Sequence, residues 1–188
     1  MRNKFQITEF CHHFLEEYIG ENDVCIDATA GNGNDTEFLC RKVGKNGRVY
    51  AFDVQEAAIN HTRERLQAAG FLERAHLILD GHEHMSRHVK EEVSAVLFNF
   101  GYLPGGDHRI ATKKVTSLAA VEEGLKLLKV GGIMNLCIYS GGDTGYEERD
   151  ALLAYLKELD TKKWLVIVSS YFNRRNDPPL PVFVVRLK

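Results

Sequence analysis

Asp27, Gly31 and Gly33 stand in a D-x-x-x-G-x-G spacing that closes the apolar run Val24-Cys25-Ile26 and opens onto Asn34, Asp35 and Thr36. A strand, a glycine turn and a helix start, in that order, form the arrangement a nucleotide-type cofactor needs. Gly31 and Gly33 are free to take positive φ and put no Cβ in a ligand's way. The acids discriminate between cofactors. A pyrophosphate on this turn would be repelled by Asp27 and Asp35, whereas a cationic amino-acid group would be drawn to Asp27. The spacing therefore favours S-adenosylmethionine over NAD. Its candidate binding residues here are Asp27, Gly31, Asn32, Gly33, Asn34, Asp35 and Thr36.

Three later strand ends carry polar groups suited to the same ligand. Asp53 follows the glycine turn by about 20 residues, the separation expected of an acid that holds ribose hydroxyls; Gln55 lies just beyond it. At Asp80-Gly81-His82 the acid is placed to accept from an adenine amino group, with Gly81 leaving space beside the ring. The next apolar run ends in Asn99-Phe100-Gly101-Tyr102-Leu103-Pro104-Gly105-Gly106-Asp107-His108. An Asn carbonyl at that point suits holding an amine hydrogen and aiming the nitrogen lone pair. Tyr102 is a candidate for stacking on a base or enclosing a cation. Asn99, Tyr102 and Asp107 are accordingly the candidate catalytic residues. An alkylammonium has no lone pair, so either Asp107 or His108 takes its proton, or the amine enters neutral and Asn99 only orients it.

Apolar runs alternate with helical patterns, which predicts a parallel α/β sheet. Residues 5–19 read as an amphipathic leading helix. Strands are expected at 24–28, 48–53, 75–79, 94–99, 133–139, 164–171 and 181–187, with helices at 35–43, 55–69, 112–128 and 147–159 and a short one within 81–92. Val130-Gly131-Gly132 reads as a tight turn into the fifth strand. The connection 172–180 is too short for a parallel crossover, so the seventh strand should run antiparallel. This predicts a class I S-adenosylmethionine methyltransferase fold: a Rossmann-like three-layer α/β sandwich with a seven-stranded, mostly parallel sheet. No linker or repeat divides residues 1–188, so one domain is expected. Asn176-Asp177-Pro178-Pro179 imitates an amino-methyltransferase signature, but it follows strand six and reads as a rigid turn.

A formal net charge of −2 makes the whole chain no attractor of nucleic acid. Contact with RNA must come from local groups near the strand ends, among them Tyr139, Tyr171, Arg174 and Arg175. No run approaches the 18 or so apolar residues of a membrane span, and the first residues lack a signal-peptide core, so a cytoplasmic protein is expected. Cys11, Cys25, Cys40 and Cys137 show no C-x-x-C pairing. His82, His84 and His88 lack cysteine partners and the H-E-x-x-H pattern, so no metal is expected.

Asp-Ala-Thr-Ala-Gly-Asn-Gly-Asn-Asp-Thr at 27–36, Asn-Phe-Gly-Tyr-Leu-Pro-Gly-Gly-Asp at 99–107 and the late Asn…Pro-Pro together resemble the small bacterial YtqB/MnmM methyltransferases. The resemblance covers essentially the full chain. It implies S-adenosylmethionine-dependent methylation of tRNA, converting 5-aminomethyl-2-thiouridine at the wobble position to its 5-methylaminomethyl form. It further implies that Asn32, Asn34, Asp53, Gln55, Gly81 and His82 line the cofactor, while 99–107 faces the modified base of the anticodon stem-loop. Tyr139-Ser140-Gly141-Gly142-Asp143 departs from the Tyr-Pro-Gly-His loop expected of the family. Small domains that grasp tRNA often dimerise, so a homodimer is also an expectation. Three other readings stay open: a methyltransferase acting on rRNA or a small amine, an NAD-dependent oxidoreductase, and a non-catalytic binding module.

Overall fold

Val24–Asp27 (β1) and Val93–Phe100 (β4) run side by side and parallel at the middle of the sheet, with Cys25 opposite Ala95 and Asp27 opposite Leu97. The computed structural model describes residues 6–101, 112–140, 145–174 and 178–188. Among the described residues the other strands are Arg48–Asp53 (β2), Ala75–Leu79 (β3), Leu128–Ile138 (β5), Trp164–Val168 (β6) and Leu180–Arg186 (β7). They form one seven-stranded sheet in the order β3-β2-β1-β4-β5-β7-β6. β7 pairs antiparallel with both β5 and β6, and the remaining pairs are parallel. The expected fold class and the reversed seventh strand are both found. The strand order reverses between β1 and β4, which is where ligands sit in doubly wound sheets.

Helices cover both faces. Ile7–Leu15 (α1), Asn34–Val43 (α2) and Glu56–Ala69 (α3) lie on one; Met85–His88 (α4), Lys114–Leu127 (α5) and Gly145–Lys157 (α6) lie on the other. Period-two alternation sorts the strand residues between these layers. Ile26, Val96, Phe98 and Phe100 join the core under α5 and α6, whereas Cys25, Ala95, Leu97 and Cys137 join the core under α1 and α2. α2 has Asp35 and Glu37 in its first turn and Arg41 and Lys42 in its last, charges that complement its dipole. α3 ends at Gly70 in the left-handed conformation, with its N–H and that of Phe71 donating to Gln67 and Leu66 carbonyls.

β6 stops at Val168, three residues short of the expected 164–171, and two further elements differ from expectation. The leading helix is Ile7–Leu15, shorter at both ends than 5–19. Val130-Gly131-Gly132 is not a turn before β5 but lies within it. Val93 pairs with Leu128 and Ala95 with Ile133, so residues 129–132 bulge opposite Ser94. A Cβ on Gly132 would sit 2.9 Å from the carbonyl oxygens of both Lys129 and Ser94, so the bulge is closed against β4. Among the described residues no helix is long and apolar enough to cross a membrane.

Candidate active site

Strand alternation decides which predicted site residues meet. Asp27, Asp53, Asn99 and Tyr139 share the parity of Cys25, Val49, Leu97 and Cys137, so all four face the α1 and α2 layer at the carboxyl edge of the sheet. Tyr102, Asp107 and His108 lie outside the described residues, as do Arg175, Asn176 and Asp177.

The glycine turn is held from three sides. Asp53 spans two loops: Oδ2 accepts from Gly31 N–H at 3.0 Å and Oδ1 from Gln55 N–H at 2.9 Å. From α3, Thr62 donates to the Gly31 carbonyl at 3.2 Å and Arg65 to the Asn32 carbonyl at 2.6 Å. Arg65 also pairs with Glu37 of α2 at 3.1 Å. Gly33 has φ +77°, and a Cβ there would lie 2.9 Å from Thr62 Cα, so glycine is what lets α3 rest on the turn. Asn34 is exposed and Asn32 half-buried. Thr62 and Arg65 were not among the sequence candidates; their i, i+3 spacing on α3 is their local signal.

Asp27 takes a different role from the one its sequence position suggested. It has no exposed surface; Oδ1 accepts from Thr29 N–H at 3.1 Å and Oδ2 from the Thr36 hydroxyl at 2.6 Å. The carboxylate therefore ties β1 to α2 rather than reaching a ligand directly, and Thr36, also buried, is its partner. Burial, followed by the charge of Asp35, pushes the Asp27 carboxyl up to about 7.

Asp80 is likewise spoken for. Its Oδ1 accepts from Gly81 N–H and the His84 ring, and its Oδ2 from the His88 ring, each at 2.8 Å. These bonds, His84 first, hold its carboxyl below the usual carboxylate range. The acid expected to read adenine instead begins the turn His82–His84 and ties it to α4. Beside Gly81 the space is taken by the Glu83 carboxylate, 2.4–2.8 Å from where a Cβ would stand. His82 is buried edge-on to Phe98 and Phe100, on the face opposite Asn99. Burial lowers its pKa, which leaves the imidazole neutral at pH 7. The ring belongs to the core, whereas the Asp80 carboxylate stays part-exposed at this strand end. Among the described residues no His, Cys, Asp and Glu group is arranged to hold a metal ion.

Asn99, at the end of β4, is held at both its backbone and its side chain. Its N–H donates to Thr29 Oγ1 and its Nδ2 to Asp35 Oδ2, both at 2.7 Å. The other Asp35 oxygen lies 2.6 Å from His12 Nε2. Just beyond, Gly101 and Thr112 close the base of the following loop: Thr112 N–H donates to the Gly101 carbonyl and Gly101 N–H to Thr112 Oγ1. Thr112 and Ser117 in turn donate to the buried Glu148 of α6 at 2.9 and 2.6 Å.

The charges at this edge suit a cationic cofactor. Asp35 and Asp53 are both near enough to raise the pKa of Asp27. Among the described residues no Lys or Arg pairs with any of the three, and the His12 ring lies against Asp35. Net negative potential around a glycine turn fits a sulfonium and an ammonium and opposes a pyrophosphate.

The family described as "Putative rRNA methylase" matches residues 49–185. That match starts inside β2, so the glycine turn upstream is an independent observation. The chain is 38% identical over 191 residues to the chloroplastic tRNA (mnm(5)s(2)U34)-methyltransferase of Arabidopsis thaliana, covering 96% of this chain and 69% of that protein. A crystal structure of a putative rRNA methylase from Clostridium thermocellum superposes with a TM-score of 0.93 at 42% identity, covering 95% of this chain and 96% of that one. A putative methyltransferase from Streptococcus mutans, solved in complex with S-adenosylhomocysteine, superposes at 0.88 with 39% identity, covering 97% and 98%. With its sheet order, its glycine turn and matches over most of its length, this chain belongs to the putative rRNA methylase family.

Proposed function

We propose that this chain is an S-adenosylmethionine-dependent tRNA methyltransferase. It N-methylates the aminomethyl group of 5-aminomethyl-(2-thio)uridine at the wobble position, giving 5-methylaminomethyl-(2-thio)uridine. The observation that carries the reading is the convergence of Asp27, Asp35 and Asp53 at the glycine turn with the Asn99 amide at the adjoining end of β4. The name of the Arabidopsis relative supplies the substrate, and the S-adenosylhomocysteine bound by the Streptococcus protein supplies the cofactor class.

When bound, S-adenosylmethionine supplies a sulfonium-bound methyl group. The residues proposed to hold it are the Gly31–Asn34 turn, Asp53, Gln55 and the backbone at Gly81 and His82. Asp53 stays oriented by the Gly31 and Gln55 N–H groups, which leaves lone pairs for ribose hydroxyls. Asn99 accepts an N–H of the acceptor amine and so directs the nitrogen lone pair. Asp107 or His108 takes the amine proton, or the amine arrives neutral. Fixing both reactants is worth up to roughly 7–11 kcal/mol, against about 10²–10⁴-fold for a general base, so orientation dominates. The wobble base is met by the same edge of the sheet, where Tyr139 is part-exposed, Phe172 is fully open to solvent and Arg174 is exposed.

Labelled S-adenosylmethionine, the purified chain and tRNA from a strain lacking the modification test this directly. Label should appear in 5-methylaminomethyl-(2-thio)uridine on nucleoside mass spectrometry. Label in rRNA but not tRNA would move the acceptor to the ribosome, the alternative that the family's description favours.

A further inference from the structure

Resting on the reading above, we infer that His12 and Asp35 are positioning residues for the methyl acceptor, acting through the side-chain amide of Asn99. Asp35 then serves the acceptor side of the site rather than the cofactor side where its place in the glycine turn puts it. The leading helix α1 becomes part of the catalytic apparatus.

The argument starts from the two ends of an asparagine amide, which differ in chemistry but hardly in shape. Asn99 Nδ2 lies 2.7 Å from Asp35 Oδ2. An ionised carboxylate only accepts, so the amide cannot be turned over without setting oxygen against oxygen. Asn99 Oδ1 is thereby pointed away from Asp35, and among the described residues none donates to it. The Asn99 N–H is anchored on Thr29 Oγ1, so the backbone does not swing to compensate.

This choice of end matters for transfer to an amine. An Oδ1 accepts an N–H and leaves the nitrogen lone pair free. A reversed amide would present Nδ2, which donates to that same lone pair and occupies the electrons the new N–C bond requires. Orientation of one amide thus separates a productive from a blocked acceptor.

Asp35 is itself held. Its second oxygen lies 2.6 Å from His12 Nε2, with side-chain exposures of 18% for His12 and 12% for Asp35. The His12 ring stacks on Phe38 of α2, centroids 3.9 Å apart and planes within 2°. The ring plane is therefore set by packing, and its nitrogen is aimed at Asp35. Hydrogen bonds in so sheltered a site are stronger than at an exposed surface. The chain Phe38, His12, Asp35, Asn99 joins α2, α1 and β4 and ends where the acceptor nitrogen must lie.

The test uses the whole chain and three substitutions, with hypomodified tRNA as acceptor. Asp35→Ala should lower kcat by about 10²-fold, the scale of a misplaced reactive group, with S-adenosylhomocysteine affinity and the KM for tRNA little changed. His12→Phe keeps the stack on Phe38 but has no N–H; it should lower kcat by about tenfold, as loss of an outer partner does. His12→Gln restores an N–H donor without the ring and should recover part of that loss. Independently of turnover, the Asn99 side-chain NH2 resonances should shift in Asp35→Ala and, less, in His12→Phe. If Asp35→Ala loses cofactor affinity in step with kcat, Asp35 is a cofactor contact and the inference fails. Unchanged kcat and unchanged amide resonances in His12→Phe would also overturn it. If the unsubstituted chain binds S-adenosylhomocysteine but methylates no tRNA, the functional reading fails instead, and the amide resonances still decide whether the chain orients Asn99.

Discussion

A carboxylic acid with no exposed surface and two carboxylates nearby keeps its proton far above the usual range, and Asp27 is such a group. Its carboxyl rises from 3.8 to about 7 on folding, so between those values the folded chain binds more protons than the unfolded one. By linkage, stability falls as pH rises through that window and is flat above it. The buried His82, with its lowered pKa, acts in the opposite sense below pH 6.5, so the Asp27 contribution is read as a difference: the unfolding midpoint of the ligand-free chain relative to that of Asp27→Asn should decline from about pH 5 to pH 7. A difference that rises over the same range would contradict the burial of a protonatable Asp27. Asn99 carries the second residue-level prediction. Asn99→Ala should cut kcat by about 10²-fold while S-adenosylhomocysteine affinity, read by calorimetry, stays close to that of the unsubstituted chain. Equal losses in both would remove Asn99 from the acceptor side.

At the scale of elements, the glycine turn depends on α3 lying against it. Gly33→Ala forces a Cβ into a left-handed conformation and against the Thr62 backbone. The conformational cost alone is about 1–2 kcal/mol, so a lower unfolding midpoint and weaker S-adenosylhomocysteine binding are expected together. Arg65→Ala should weaken binding with a smaller effect on stability, because it frees only the Asn32 carbonyl and Glu37. Much of this layer was legible in the sequence. β2 and β3 begin and end where expected, because Gly47, Asp53 and Asp80 punctuate apolar runs. β5 was read too short because a Gly-Gly pair looks like a turn, whereas here it is a bulge paired across Ser94. Asp80 and Asp27 were recognised as polar strand ends, but what engages them was not. The i, i+4 spacing of His84 and His88 serves Asp80, a partner that the spacing alone does not name. The His12–Asp35 bond joins residues 23 apart, and no local pattern encodes how α1 docks beside α2.

For the molecule as a whole, a net charge of −2 means that RNA is not gathered by a general field. On the proposed reading, phosphate contacts come from local basic groups, and Arg174, exposed beside the fully exposed Phe172, is the one to test. Binding of an anticodon stem-loop should weaken steeply with added salt, as released counterions require, and a flat response would point to a small-molecule acceptor instead. Arg174→Ala should reduce that slope by about one, and Phe172→Ala should weaken binding with the slope unaltered, as loss of a stacking surface does.

The reversed strand has one more consequence, in the order of assembly. β7 lies between β5 and β6, so β6 has no bonded neighbour until residues 180–186 exist to join it. During synthesis at about 5–20 residues per second, α6 and β6 must wait beside an unfinished edge, with Ile138 and its neighbours on β5 still open to stray strands. A chain truncated after residue 179 should leave a protease-sensitive segment from 145 onward, and adding back β7 should protect it in one cooperative step.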